Sequence, residues 1–273
     1  MNAQAVAVII AGALTVIGTL AAQIYGRHAT SKQLDRTLGE QRARTLNERF
    51  ATAADQLGSD KPAIRLAGVY AMAGLADDWL ENRQTCVDVL CAYLRMPYEP
   101  DPGDEASAPE RLAFRASREV RHTVIQVIAA HLQADAAVSW RGLEFDFRGV
   151  IFDGGDFRGA EFASGLAVFD AAKFSGGKVR FDGAQFSGGK VYFSDAEFTG
   201  GTISFRRAKF TGGTVSFDRA QFSGGTAYFG GAEFSGGVVD FSDVSDWSRP
   251  PEFPWTDTPP PGVKLPKEDQ SQA

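Results

Sequence analysis

The sequence predicts an α+β multidomain protein with an N-terminal transmembrane helix, a small α-helical domain and a C-terminal β-helix. Three observations predict this fold class. Positions 1–26 carry no charged side chain, the middle of the chain places apolar residues at helical spacing, and Phe recurs at fixed intervals in the second half. The predicted parts are an anchor (1–26), a juxtamembrane helix (27–57), a helical domain (58–138), a β-helix (139–244), and a cap with a Pro-rich disordered tail (245–273).

The N-terminal segment has the length and composition of a membrane span. A bilayer core of about 30 Å needs roughly 20 predominantly apolar residues, and residues 4–24 supply 21 without a charge. A cleaved signal peptide is the alternative, but it needs a Lys or Arg before the apolar stretch, and none is present. The predicted anchor residues are Val6, Val8, Ile9, Ile10, Leu14, Val16, Ile17, Leu20 and Ile24.

Basic residues follow the apolar segment. Cytoplasmic flanks of membrane helices carry an excess of Lys and Arg, so this order predicts a single-pass cell-membrane protein with its N-terminus outside and its body in the cytoplasm. Membrane lipid is therefore an expected partner of the N-terminal helix. The basic residues are Arg27, Lys32, Arg36, Arg42, Arg44 and Arg49.

The middle segment is predicted to be helical because its apolar residues recur at three- and four-residue spacing. A first helix is expected over 32–57. Asp60 is predicted to cap the next helix, with Pro62 in its first turn, where the missing N–H costs nothing. Two further helices are expected over 84–94 and near 110–134, with a Pro-rich loop between them.

These short amphipathic helices, with small residues at contact points, resemble the helix pairs of HEAT-type solenoids. A plain helical bundle is the alternative, and either interpretation makes the segment a packing module. Cys86 and Cys91 are expected to behave as small buried hydrophobic residues. His122 and His131 are nine residues apart, which does not make them adjacent ligands, so each is expected to be structural.

Phe recurs at regular intervals through the second half of the chain. The spacing is five residues for the first four and then alternates between seven and five. Six consecutive twelve-residue units each begin with Ala-X-Phe, as in AKFSGGKVRFDG and AEFSGGVVDFSD. The predicted ladder is Phe147, Phe152, Phe157, Phe162, Phe169, Phe174, Phe181, Phe186, Phe193, Phe198, Phe205, Phe210, Phe217, Phe222, Phe229, Phe234 and Phe241.

Each unit places a small and a large residue on the same face of extended backbone. Residues two apart share a face of a strand, so Ala172 points the same way as Phe174, and Val179 the same way as Phe181. Polar residues occupy the positions between them and face water. Five residues make one short side and a corner, so the pattern predicts a narrow shaft filled by aromatic rings.

This pattern resembles the pentapeptide-repeat proteins, whose five-residue motif has a central Phe or Leu and a small residue two positions earlier. Segments 150–152, 155–157, 160–162 and 172–174 match the motif directly. The resemblance covers residues 141–243 and implies a right-handed quadrilateral β-helix with four sides per coil. The anchor and helical region lie outside it, in an arrangement similar to that of some bacterial members.

A Ser/Thr-Gly-Gly insertion lengthens alternate sides to seven residues and suits an outward bulge or a wider corner. Sides of five, seven, five and seven residues give a coil of about 24, in which Phe174 stacks with Phe198 and Phe222. A flatter coil of about 12 residues is the alternative. The longer coil is preferred because the shorter one encloses too little space for two Phe rings per rung.

The sequence predicts a protein that is not an enzyme, with no cofactor, no metal site and no small-molecule substrate. It contains only two Cys and three His. Gly-Gly-Lys-Val at 176–179 lacks the Ser or Thr and the helix that follow the Lys of a P-loop. The outward Asp and Glu residues are scattered, which is typical of a solvated surface.

The expected function is a membrane-tethered scaffold that presents a rigid β-helix to an unidentified protein partner; a homodimer is left open. The alternative follows from the resemblance, because some pentapeptide-repeat proteins mimic DNA and bind DNA gyrase. The repeat has 13 acidic and 11 basic residues, a net charge of −2. A DNA duplex carries one negative charge per about 1.7 Å, so the repeat is too neutral for a close imitation. Nucleic acid is not an expected partner.

Overall fold

The computed structural model describes residue 33 and residues 36–99 and 101–267. The chain divides into two compact units, Met1–Arg49 and Phe50–Ala273. In the first unit, the described residues 36–49 are helical. The second unit begins with helical residues 50–57, here called α1, and contains both the helical domain and the β-structure.

The predicted transmembrane helix and single-pass membrane localisation are corrected by the structure. Within residues 33, 36–99 and 101–267, no helix combines the length and the apolar character that a bilayer crossing requires. The helix Ala108–His131 has 24 residues, but charged side chains recur along it, including Arg111, Arg115 and Arg118. The predicted anchor, residues 1–26, lies outside the described residues.

The helical domain continues with three helices and a short 3₁₀ turn, Leu80–Asn82. Lys61 rather than Asp60 precedes the first of these helices and provides no side-chain cap, so Pro62 begins it without the predicted Asp cap. The helices are α2 (Pro62–Asp78), α3 (Arg83–Arg95) and α4 (Ala108–His131).

Helix α4 begins with a capping box that fixes its first turn. The Ser107 hydroxyl accepts the N–H of Glu110, and the Glu110 carboxylate accepts the N–H of Ser107 at 2.8 Å. Two otherwise unpaired donors of the helix terminus are satisfied in this way. The helix therefore starts at Ala108, two residues earlier than the apolar pattern indicates.

The core of the helical domain is aliphatic and contains both cysteines. Val69 and Leu75 of α2, Leu90 of α3 and Val124 of α4 are fully buried. The thiols are free and fully buried. Burial raises the pKa of Cys86 to about 11 and that of Cys91 to about 12, so both thiols are protonated at neutral pH.

The second half of the unit is a parallel β-solenoid with four sides, here called sides 1 to 4 in chain order. All of the strand pairs in the described part of the chain are parallel, and they form three sheets. Three eight-residue strands continue around one corner, so a single sheet covers sides 4 and 1.

The strands of side 1 are β1 (Glu144–Asp146), β5 (Leu166–Val168), the second halves of the long strands, and β15 (Val263–Lys264). Side 2 contains β2 (Ile151–Phe152), β6 (Lys173–Phe174), β9 (Glu197–Phe198) and β12 (Gln221–Phe222). Side 3 contains β3 (Gly155–Asp156), β7 (Lys178–Arg180), β10 (Thr202–Ser204) and β13 (Thr226–Tyr228). Side 4 contains β4 (Glu161–Phe162) and the first halves of the long strands β8 (Gln185–Tyr192), β11 (Lys209–Ser216) and β14 (Glu233–Asp240).

Strand register confirms the longer of the two predicted coils. Lys178 pairs with Thr202, and Thr202 pairs with Thr226, so each step advances the sequence number by 24. The first coil is shorter, because Phe152 pairs with Phe174, an advance of 22. This difference follows from the five-residue spacing of the first four ladder residues, which lack one of the Gly-Gly insertions.

The Gly-Gly corners bring successive coils closer together than any side chain would allow. A methyl group on Gly200 would overlap the carbonyl oxygen of Ser175 in the preceding coil. Gly177 has a φ of +62°, a left-handed conformation that favours glycine. The register shifts within the pairing of β8 with β11 lie at such a corner, near Gly212. The insertion therefore serves close packing as well as turning.

Both ends of the solenoid are covered. Ile125 of α4 packs against Gly155 in the first coil, and the side-chain amide of Gln84 in α3 donates to the carbonyl of Glu144 at 2.8 Å. At the other end the Pro-rich segment forms a further coil, in which Val263 pairs with Val239. Ordered backbone thus extends beyond the last of the twelve-residue units.

Candidate interaction surface

The predicted ladder residues form four columns of rings inside the solenoid, one column for each side. Within the column of side 1, Phe193 lies 4.8 Å from Phe169 and 4.9 Å from Phe217, measured between ring centroids. The other three columns repeat this arrangement and end on Trp247, Phe253 and Trp255 of the last coil. The ladder therefore fills the shaft, and recognition is left to the outward positions.

A polar cluster joins the helical domain to the first coil of the solenoid. Its centre is Asp153, whose carboxylate accepts hydrogen bonds from the Tyr98 hydroxyl at 2.6 Å and Arg118 Nε at 2.9 Å. His122 Nε2 lies 2.9 Å from the other carboxylate oxygen. Arg121 covers the Tyr98 ring and donates to the carbonyl of Ile151 at 2.9 Å. These contacts hold α4 against the first coil.

The environment of Asp153 keeps it ionised. Burial opposes ionisation, but hydrogen bonds from His122 and Tyr98 and the nearby charges of His122 and Arg118 lower the pKa of Asp153 to about 2. Burial and the bond to Asp153 raise the pKa of Tyr98 above its ordinary value. Tyr98, Arg118 and His122 are all directed at the one carboxylate, so the geometry serves attachment rather than acid–base chemistry.

His131 takes part in a second cluster at the end of α4. Its Nδ1 lies 2.7 Å from the carbonyl oxygen of Val127, and its Nε2 lies 3.2 Å from Asp77. The Trp140 ring stacks on the imidazole at 3.9 Å, and its N–H donates to Asp77 at 2.9 Å. This cluster connects α2, α4 and the entry to the solenoid.

The described residues contain no group of three or more His, Cys, Asp or Glu side chains arranged to hold a metal ion. The two histidines of α4 each contact a different aspartate, as described above, and both contacts hold elements together. The outward charged and polar side chains of the solenoid offer charge and hydrogen bonding to a partner.

Outward charges are unevenly distributed between diagonally opposite corners of the solenoid. The corner between sides 1 and 2 carries Asp170, Asp195, Asp218 and Asp243, with Arg148 and Arg219. The corner between sides 3 and 4 carries Arg158, Arg206 and Arg207, with Asp182. The nearly neutral repeat therefore has one acidic and one basic corner.

Most arginines of the solenoid contact a carboxylate. Arg148 lies 2.7 Å from Asp146, and Arg158 lies 2.7 Å from Asp156. Arg219 contacts Asp195 in the preceding coil at 2.7 Å. Each such pair contributes little to stability at an exposed position. The paired guanidinium is, however, already neutralised by a carboxylate of the same chain and is less available to a partner.

Residues 147–197 and 193–245 match the family described as pentapeptide repeats (9 copies). This segment of the chain belongs to the pentapeptide-repeat family, as the sequence pattern predicts. No curated protein and no solved structure matches the chain. The repeat solenoid indicates a non-catalytic protein-interaction module.

The sequence analysis does not predict two features of the surface. The donors Tyr98, Arg118 and His122 are 31 to 55 residues away from Asp153, so no local pattern joins them. The two charged corners were hidden by averaging over the whole repeat. Assigning each outward residue to its corner, using the longer of the two predicted coils, would have revealed the corners.

Proposed function

We propose that this chain is a non-catalytic protein-interaction module that binds a protein partner through outward side chains of the solenoid. The observation that carries the proposal is that the inward and outward positions of each coil have different roles. Inward positions are occupied by Phe, whose rings pack in columns, and by smaller apolar residues such as Ala172, Val179 and Ile203, whereas outward positions differ from coil to coil. A rigid backbone with variable outward residues supports binding of an extended surface.

The experiment places a photo-crosslinking amino acid at one exposed outward position on each side. Suitable positions are Lys190 on side 1, Gln221 on side 2, Lys178 on side 3 and Lys209 on side 4. We expect a discrete protein adduct from one side or from two adjacent sides, because a docked partner covers only part of the perimeter.

The same amino acid at Tyr70, an exposed position of α2 with 58% relative exposure, is the control. Adducts formed only from Tyr70, or equal and unselective adducts from all four sides, would contradict the proposal. A charge reversal next to the reactive side should remove the adduct if docking is specific. The gyrase-binding alternative stays a prediction. A mimic of DNA needs an acidic surface, whereas Arg219 places a basic charge within the acidic corner of this solenoid.

A further inference from the structure

A notch lies at the basic corner between sides 3 and 4, with a volume of about 680 Å³. It is lined by Asp182, Gly183, Arg206, Arg207, Gly230 and Gly231. A β-carbon on Gly230 would lie 3.7 Å from Arg206 Nε, and one on Gly231 would lie 3.6 Å from Arg207 Cγ. The two arginine side chains therefore extend beside a turn that has no side chains of its own.

Neither arginine of the notch makes an ion pair within the described part of the chain, in contrast to Arg148, Arg158 and Arg219. The Arg206 guanidinium carbon lies 5.7 Å from the centre of the Tyr228 ring. Asp182 is the acidic residue of the notch, but its Oδ1 already accepts from the Ser204 hydroxyl and from the Arg206 N–H. Both arginines line the notch, and neither guanidinium group is paired with a carboxylate of the described residues, so both can bind an external anion.

The other corners of the solenoid show which group such a turn binds. At five corners the first backbone N–H donates to an aspartate carboxylate at 3.0 to 3.2 Å. The donors are Arg148, Arg158, Ser194, Arg206 and Ser242, and the acceptors are Asp146, Asp156, Asp170, Asp182 and Asp240.

The Gly230 turn lacks this carboxylate. Tyr228 stands two residues earlier and Arg206 one coil earlier, so neither position supplies an acceptor. No acceptor for the N–H groups of Gly230 and Gly231 is found among residues 36–99 and 101–267. The N–H groups of Asp170 and Asp182 also lack one, but those two residues provide the carboxylates that bind the next coil.

We propose that the notch is the docking site for an acidic segment of a protein partner, and that one Asp or Glu carboxylate of that segment binds Arg206, Arg207 and the N–H groups of Gly230 and Gly231. The carboxylate would occupy the place that aspartates occupy at the five other corners. Asp182 lies beside it and disfavours a doubly charged phosphate more than a singly charged carboxylate. This inference rests on the proposed function and specifies the chemistry of the partner.

The first test measures binding of a fluorescein-labelled peptide, Gly-Glu-Glu-Glu-Glu-Gly, to the full chain by fluorescence anisotropy. Arg206→Gln combined with Arg207→Gln should weaken binding about tenfold or more, because charge-assisted hydrogen bonds are lost. Arg219→Gln is the matched control. Arg219 has a φ of +52° against +56° for Arg207, occupies the same place in a corner, and should change the affinity by less than about twofold.

The second test fills the notch from within. Gly230 does not have a left-handed φ, and the equivalent corner positions Asp170, Asp182 and Asp218 are aspartates. Gly230→Asp should therefore be accommodated, bind the two arginines and abolish peptide binding. Gly230→Ala adds only a methyl group and should retain it. In amide NMR spectra, the peptide should shift the Gly230 and Gly231 signals of the parent chain.

The inference is overturned if Arg219→Gln weakens binding as much as the double variant, if Gly230→Asp still binds, or if the Gly230 and Gly231 signals do not move. It is also overturned if the peptide with Gln in place of Glu binds equally well, or if a phosphoserine peptide binds and the Glu peptide does not. Crosslinking from side 1 or side 2, with no peptide binding at the notch, would leave the proposed function standing and reject this inference alone.

Discussion

The helical domain and the solenoid are stabilised in different ways. In the helical domain each contact is made once, by an aliphatic side chain such as Leu90 or by a polar contact such as that of His131 with Asp77. In the solenoid the same contact is made in every coil, so the surroundings of Phe193 resemble those of Phe169 and Phe217. Repetition distributes stability over many equivalent residues, whereas the helical domain depends on particular ones.

The largest expected effect is the loss of a ring from the middle of a column. Phe193→Ala should lower the free energy of unfolding by about 3–5 kcal/mol, because it leaves a cavity between two stacked rings. Urea denaturation followed by circular dichroism checks this value. Phe193→Leu, which keeps most of the volume, should cost clearly less. A loss below about 1 kcal/mol for the alanine variant would show that the columns do not carry the stability of the solenoid.

The next effect tests the junction between the two regions. Asp153→Asn removes the charge that Tyr98, Arg118 and His122 contact, and should cost about 2–3 kcal/mol at neutral pH. The pKa of Asp153 is about 2 in the folded chain and about 3.9 in an unfolded one. Ionisation therefore stabilises the fold fully above pH of about 4, and this contribution is lost as the pH falls towards about 2.

The measurement compares urea midpoints of the parent chain and the Asp153→Asn variant at several pH values. The difference between them should shrink as the pH is lowered through this window. Tyr98→Phe serves as a partial control, because it removes one donor and leaves the carboxylate charged. A constant difference at all pH values would mean that the charge of Asp153 does not stabilise the junction.

A smaller effect concerns the close approach of coils at the Gly-Gly corners. Gly200→Ala should cost about 1–3 kcal/mol, since its methyl group would overlap the Ser175 carbonyl oxygen. Gly176 holds the same position one coil earlier, and a methyl group there would have nothing within 4 Å. Gly176→Ala should therefore be close to neutral by thermal denaturation. Equal losses for the two variants would show that contact between coils is not the reason for glycine at this corner.

The smallest expected effect is a gain. Ala171 has a φ of +53° at a corner where Gly149 stands in the previous coil. A left-handed conformation costs a residue with a β-carbon about 1 kcal/mol, so Ala171→Gly should raise the melting temperature slightly. Part of the gain is offset by the larger entropy of glycine in the unfolded chain. A fall in melting temperature would mean that a contact of the Ala171 methyl group stabilises the fold by more than its left-handed conformation costs.

Much of the solenoid could be predicted because the residues that determine each side lie close together in the sequence and recur in every unit. The shorter first coil can be read directly from the five-residue spacing of Phe147, Phe152, Phe157 and Phe162. The role of Gly200 was only partly anticipated, since the sequence indicates a turn but does not show that the carbonyl of Ser175 lies against it.

The helical domain was harder to predict in detail. The sequence predicts that Asp60 caps α2, yet the chain reaches Pro62 through Lys61 without a side-chain cap. The Asp153 cluster depends on three donors from α4 and the loop before it, which only the packed fold brings together. The notch was missed for a similar reason, because Arg207 and Gly231 are separated by a full coil of sequence and become neighbours only when the coils stack.

Because the register of the solenoid is constant, the number of coils sets its length without changing the direction in which each corner points. Duplicating residues 173–196 would join equivalent positions, because Lys173 pairs with Glu197 one coil later. It would lengthen the rod by one rung of about 4.8 Å and leave the notch pointing in the same direction relative to the helical domain. Duplicating half as many residues would move the notch to the diagonally opposite corner. Duplications of whole coils could therefore adjust the distance between the two ends while the orientation of the docking site is preserved.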